Sequence, residues 1–314
     1  MRFIGAEEIH QRLDYPALVE ALAECHRRDV DDVGLMVLEQ PTPSGKAAHF
    51  LTGASWQRGQ ALGAKLTTLF PDNEYNDSGL PSVQAVYVLF DGTNGSPRAV
   101  IDGTLLTLYK TAADSALGAR LLAPSAPERM LMVGAGALAP HLIRAHCAVR
   151  PSLKKVEIWN RTPERAEALA TSLSLNGVDI KATGDLESAA RRADIISCAT
   201  MATEPLILGE WLKPGAHLDL VGSYRPSMHE CDEAAVMRAS VFVDSPWNAV
   251  KESGEIISAL ASGALVRSDI LADTFALARG DHPGRTGDDE ITLFKNGGGA
   301  HLDLMVAQYL CEGV

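Results

Sequence analysis

The chain has 314 residues, 46% of them hydrophobic and 22% charged, enough apolar material for one large globular domain or two medium ones. Its 40 acidic residues against 28 basic ones give a formal net charge of −12. That balance disfavours nucleic acid and anionic membranes as partners, while allowing a local basic pocket for a small ligand. The five cysteines (Cys25, Cys147, Cys198, Cys231, Cys311) form no CxxC pair, and the histidines are scattered, so neither a disulfide framework nor a metal centre is expected. No apolar run approaches the length of a membrane span, and the first residues lack a basic-then-apolar leader, which predicts a cytoplasmic protein.

In chain order, residues 6–28 carry Ile9, Leu13, Leu18 and Leu22 at helical spacing. Strand-like pieces follow at 49–56 and 61–70, then a turn-rich loop at 71–82. SVQAVYVLFD and RAVIDG, joined by GTNGSP, predict an antiparallel hairpin, and residues 104–122 predict a helix. From Met130 the texture changes to alternating strands and helices: RMLMV, ALAPHLIRAHCAV, KKVEIWN, TPERAEALATSL, VDIKA, DLESAARRA, DIISCAT, HLDLVGS. Such alternation predicts a Rossmann-type, doubly wound parallel sheet over residues 123–293. Residues 1–122 are expected to form a second, α+β domain completed by the tail 294–314, which starts extended, passes three glycines and ends helical.

The segment Gly134–Ala135–Gly136–Ala137–Leu138–Ala139 reads GxGxxA directly after a strand and before a helix. The first glycine suits the tight turn, the second lets a pyrophosphate reach the backbone, and the small third residue lets helix and strand pack closely. Unpaired N–H groups and the dipole of the helix start attract phosphate. The next strand ends about 26 residues beyond Gly134, at Asn160–Arg161–Thr162, with Arg165 a turn later. An NAD site usually has a carboxylate here for the ribose hydroxyls. A guanidinium instead suits the 2′-phosphate of NADP(H), with NAD(H) as the alternative. The competing bland reading makes Arg161 a solvated loop residue. Ala199, Thr200 and Met201 end another strand and Val221 and Ser223 a further one, at the carboxyl edge where such sheets bind ligands.

Four segments carry a resemblance over nearly the whole chain: GAKLTTLFPDNEYNDSGLPSVQAVYVLFDGTNGSPRAVIDGTLLTLYKTAADSALGARLLA, VEIWNRTPERAEALA, VFVDSPWNAVKESGE and ITLFKNGGGAHLDLMVAQ. In these the chain resembles the ornithine cyclodeaminase/mu-crystallin family. The resemblance implies a homodimer in which a substrate and dimerisation domain is joined to a dinucleotide-binding one. It also implies hydride transfer between a nicotinamide and the Cα of an amino or imino acid.

Within that resemblance Lys65 matches the family's active-site lysine. It lies in an otherwise apolar strand, where an ammonium is either paired or functional, the alternative being a lysine that snorkels to water. Asp303, early in the final helix, is the group that would orient Lys65. Ser223 stands where ornithine cyclodeaminases carry a catalytic aspartate. A serine cannot act as a strong base, which argues against cyclodeamination and for reduction of a ketimine, with a water held by the serine.

Lys110 replaces the family's usual arginine, and no arginine occurs in 36–46, so the substrate carboxylate clamp is weakened or rebuilt. Thr111 and Asn296 are implied cofactor contacts and Gly298 a close approach to substrate, Lys110 and the glycines having plain structural readings as well. The expected activity is NADPH-dependent reduction of a small cyclic imino acid such as Δ1-pyrroline-2-carboxylate or Δ1-piperideine-2-carboxylate. The alternatives are an ornithine cyclodeaminase, an amino-acid dehydrogenase, or an inactive NADPH-binding protein of crystallin type.

Overall fold

A computed structural model describes residues 1–74 and 79–312. The chain opens with β1 (Arg2–Ile4), α1 (Ala6–Arg12) and α2 (Tyr15–Cys25). The helical periodicity of 6–28 is therefore split. Asp14 accepts a hydrogen bond from the Ala17 amide at 3.3 Å, and Pro16 sits in the first turn of α2, two features that start a new helix. Five strands follow: β2 (Asp31–Pro41), β3 (Ala47–Gln57), β4 (Ala61–Leu69), β5 (Val83–Asp91) and β6 (Pro97–Asp102). With β1 they form a six-stranded sheet in the order β1-β6-β5-β4-β3-β2, antiparallel except for β1 beside β6. The expected hairpin is β5–β6, closed by Asp91, whose Oδ1 accepts from the Thr93 amide at 2.9 Å, and by Gly95 at φ 74°. Edge strand β2 was not legible, because its apolar run lacks the alternation of a half-buried strand. Of the predicted loop, residues 75–78 lie outside the described residues.

Helix α3 (Gly103–Leu122) leads into the alternating region: β7 (Arg129–Val133), α4 (Ala139–Val149), β8 (Lys155–Trp159), α5 (Pro163–Ser172), β9 (Asp179–Ala182), α6 (Leu186–Arg192), β10 (Ile195–Cys198), β11 (His217–Leu220), α7 (Glu233–Arg238), β12 (Ser240–Val243), α8 (Ala249–Glu252), α9 (Gly254–Ser262), β13 (Ile270–Asp273), α10 (Thr274–Arg279) and β14 (Thr292–Lys295). The eight strands form one parallel sheet, ordered β13-β12-β14-β11-β10-β7-β8-β9. This is the predicted doubly wound sheet. Leu131, Val133, Ile196, Leu218, Leu220, Val241, Val243 and Leu293 are all buried, and the same strands also bury Ser197, His217, Asp219, Thr292 and Lys295. The strand order reverses between β7 and β10, the switch point at which such sheets bind ligands.

The last helix, α11 (Ala300–Glu312), covers one face of the six-stranded sheet. Ser55 on β3 donates to the Ala300 carbonyl at 2.8 Å, and Arg12 on α1 donates to the Leu310 carbonyl at 3.3 Å. The chain accordingly divides into two compact units, Met1–Lys110 with Gly299–Val314, and Thr111–Gly298. Sequence patterning predicts the return at residue 294. The strand Thr292–Lys295, however, is inserted between β11 and β12, so the return follows Gly298. The opposite face of the six-stranded sheet is apolar and open, with Met36, Leu38, Phe50, Trp56 and Val86 between 36% and 58% exposed. Among the described residues, no helix is long and apolar enough to cross a membrane.

Candidate functional site

Lys65 lies mid-way along β4, on the face that α11 covers. Its Nζ is 2.8 Å from Asp303 Oδ2 and 3.1 Å from Oδ1, and it donates to Thr107 Oγ1 at 3.3 Å. The lysine side chain is 19% exposed and the aspartate 2%. Asp303 sits near the start of α11, where the helix dipole favours a carboxylate. Thr107 is fixed by its own bond to the Gly103 carbonyl at 2.7 Å. The strand neighbours of Lys65 keep the space around it narrow but not filled. Gly53 is directly opposite on β3 and Tyr87 on β5. Gly63, two residues before Lys65, has the Tyr87 ring lying where a Cβ would be. Lys65 is thus a paired, oriented ammonium with one edge open to solvent. Lys110 is 5% exposed and engaged, which excludes the plain reading as a surface helix residue. Thr107 was not foreseen, since nothing in TLLTLYK distinguishes it.

The second cluster lies wholly inside the Thr111–Gly298 unit. Gly134 has φ 109°, and a Cβ on it would meet the Ala199 carbonyl oxygen at 2.6 Å, so only glycine fits this turn. A Cβ on Gly136 would meet nothing within 4 Å, and Gly136 and Ala137 are exposed while Ala135 and Leu138 are partly so. Helices α6, α7 and α10 are capped by Asp185, Asp232 and Asp273, whereas no side chain caps the start of α4. An open turn running into an uncapped helix start fits a diphosphate. At the end of β8, Asn160 braces the turn: its Oδ1 accepts from the Ala135 amide at 3.2 Å and its Nδ2 donates to the Thr162 carbonyl at 2.9 Å. Arg161 and Arg165 are exposed, and among the described residues neither guanidinium has a hydrogen-bond or ion-pair partner, while the Arg165 amide donates to the Thr162 carbonyl at 3.1 Å. The Thr162 side chain makes no capping bond.

The remaining predicted residues occupy the carboxyl edge of the same sheet. Ala199 and Val221 continue the ladder, Ala199 donating to the Val133 carbonyl and Val221 to the Cys198 carbonyl, both at 2.9 Å, while Met201 is 75% exposed. Thr200 is held by Glu230, a fully buried carboxylate whose pattern in the sequence gave no signal. Asn296 donates to the Thr111 carbonyl and to Ser115 Oγ, both at 3.0 Å, and its buried Oδ1 has no partner. Ser115 in turn donates to Asp219 at 2.8 Å. Burial pushes the Asp219 carboxyl up, but hydrogen bonds from His146 and Ser197 outweigh it and hold the group below its usual range. Gly298 has φ 68°, and its carbonyl accepts from Asn248 at 2.9 Å.

Ser223 departs from expectation. It is 1% exposed, donates to the Met228 carbonyl at 2.8 Å and accepts from the Gly254 amide at 3.0 Å. The hydroxyl braces a loop, its proton committed to the Met228 carbonyl.

Over 311 residues the chain is 40% identical to a Δ1-pyrroline-2-carboxylate reductase of Paracoccus denitrificans, covering 99% of this chain and 96% of that one. It is 35% identical to the ketimine reductase mu-crystallin of Mus musculus over 99% of this chain and 96% of the relative. A solved structure of Thermococcus litoralis Δ1-pyrroline-2-carboxylate reductase, in complex with NADH and L-proline, superposes with a TM-score of 0.90 at 27% identity, covering 99% and 97% of the two chains. The model of the ornithine cyclodeaminase/mu-crystallin family matches residues 48–314, and the chain belongs to that family.

Proposed function

We propose that this chain is a nicotinamide-dependent oxidoreductase that reduces a small cyclic imino acid of the Δ1-pyrroline-2-carboxylate or Δ1-piperideine-2-carboxylate type. The observation that carries this reading is the Lys65–Asp303 pair, an oriented ammonium in a strand otherwise built from apolar and small residues. The names of the reductases among its relatives support it. The reduced nicotinamide, when bound, supplies a hydride to the imine carbon. Lys65 gives a proton from Nζ to the imine nitrogen, so that C=N becomes CH–NH. Asp303 and Thr107 hold the amine in place through that transfer, and the solvent-open edge of Lys65 lets the proton be replaced. Lys65 and Lys110 together offer positive charge to the substrate carboxylate, in place of an arginine fork.

The phosphates of the dinucleotide would rest on the turn from Gly134 to Leu138, with Asn160 fixing the turn. Arg161, Arg165 and Thr162 would grip the 2′-phosphate, which makes NADP(H) the preferred cofactor. Asn296, through its unpaired Oδ1, and Thr111 would complete the nicotinamide side. The open apolar face of the six-stranded sheet is larger and more continuous than scattered surface hydrophobes, and supports a homodimer built on it.

Three outcomes follow. NADPH is oxidised when cyclic ketimines are supplied, and Lys65→Met lowers kcat by roughly 10²–10⁴-fold, the usual contribution of a positioned proton donor, while NADPH affinity stays within a few-fold. Absence of turnover with every cyclic ketimine, despite NADPH binding, would overturn the proposed activity. Arg161→Ala raises KM for NADPH about tenfold or more and leaves KM for NADH nearly unchanged, because a charge-assisted phosphate contact is worth about 1.5–3 kcal/mol. Equal effects on both cofactors would refute the assigned role of Arg161. Light scattering gives twice the 33.5 kDa of one chain, and Phe50→Glu halves it. A wild-type mass of one chain would remove the dimer.

A further inference from the structure

Three charged side chains without a part in that reduction are buried together at the carboxyl edge of the eight-stranded sheet, all within the Thr111–Gly298 unit. Glu230 and Lys295 have no exposed surface and Glu255 has 3%. Glu230 Oε1 accepts from the Thr200 amide at 2.7 Å and from Thr200 Oγ1 at 2.8 Å, and Oε2 accepts from the Gly222 amide at 2.6 Å. Thr200 and Gly222 each lie two residues past a strand end, β10 and β11 respectively. These exits receive the reactive end of a dinucleotide in parallel sheets of this kind. They are drawn so close that a Cβ on Gly222 would collide with the Thr200 backbone and with Glu230 Oε1. One carboxylate therefore staples two exits together.

Lys295 ends β14, in register beside Leu220 and Val243. Its buried Nζ has no hydrogen-bond partner, and neither has Glu255 Oε2, while Glu255 Oε1 accepts from the Glu230 amide at 2.7 Å. A buried ammonium is expensive unless it answers a charge, and Glu230 lies close enough to Lys295 to supply it. Burial raises the proton affinity of Glu230, and the ammonium of Lys295 opposes the rise. Burial leaves the Glu230 carboxyl above its usual range, and the three hydrogen bonds it accepts favour its ionised form.

We propose that Lys295 and Glu230 are positioning residues of the nicotinamide subsite: Lys295 is the counter-charge that lets Glu230 fix the Thr200 and Gly222 amides as walls for the nicotinamide ring, an inference that rests on reading the Gly134–Gly136 turn as a dinucleotide site. The two residues touch neither substrate nor cofactor. They act on the half of the dinucleotide that carries the chemistry and leave the adenosine half, held at Arg161, untouched.

Calorimetric titration of NADPH and of adenosine 2′,5′-bisphosphate, which lacks the nicotinamide, separates the two halves. Lys295→Met and Glu230→Gln each weaken NADPH about tenfold or more and leave the bisphosphate within twofold. The double variant is no weaker than the worse single one, since both remove the same staple. Equal weakening of both ligands, or no change in either, overturns the proposal. If Lys295→Met does not fold, Thr200→Val, which deletes one hydroxyl donor to Glu230, carries the same test with an expected loss of about threefold for NADPH alone. Wild-type protein that binds both ligands but reduces no imine removes the proposed activity and leaves this inference standing. Wild-type protein that binds neither ligand removes both.

Discussion

The ion pair between Lys65 and Asp303 is the constraint on which the organisation of the chain turns. Its partners are 238 residues apart in sequence. An ammonium placed mid-strand and largely covered by the last helix is tolerable only with a counter-charge. The counter-charge comes from the last helix. After completing the parallel sheet, the chain must therefore return to the first unit. Gly297 and Gly298 make that exit: a Cβ on Gly297 would meet the Ala249 amide at 2.5 Å, and Gly298 turns with φ 68°. The same arrangement leaves apolar side chains on the other face of the six-stranded sheet exposed.

Charge is used in two ways in this protein. At Lys65 a partly exposed ammonium is kept available, held by one carboxylate and one hydroxyl. At Lys295 a wholly buried ammonium is spent on geometry, balancing carboxylates that hold strand ends in place. The nucleotide turn uses neither device. It relies on backbone amides at an uncapped helix start, with Arg161, Glu164 and Arg165 exposed at the rim.

Much of this was legible in the residues. The alternation of short strands and helices from Met130 onward specified the parallel sheet, because parallel neighbours need a crossover between them. The glycine pair between a strand and a helix marked the tight turn that the structure has at Gly134. Lys65 stood out as a charge in an apolar strand. Lys295 gives the same signal in TLFK, yet there it passes for the polar end of a short strand, and its partners Glu230 and Glu255 lie in segments with no periodicity to expose their burial. Edge strand β2 could not be read because both of its faces are apolar. The inward turn of Ser223 could not be read because a serine after a strand end can face either way, and only the positions of Met228 and Gly254 decide it. The domain return was displaced because β14 looks, in isolation, like the start of the tail rather than the centre of a sheet.

The pairing of Lys65 with Asp303 is tested most directly by Asp303→Asn in steady-state reduction of a cyclic ketimine by NADPH. The amide keeps the volume and one acceptor oxygen but removes the charge that holds and balances the ammonium. The account predicts a fall in kcat of about 10²-fold, with the dissociation constant for NADPH unchanged because the nucleotide groups lie in the other unit. A variant with wild-type kcat, or one that loses NADPH affinity in the same proportion as turnover, would contradict it.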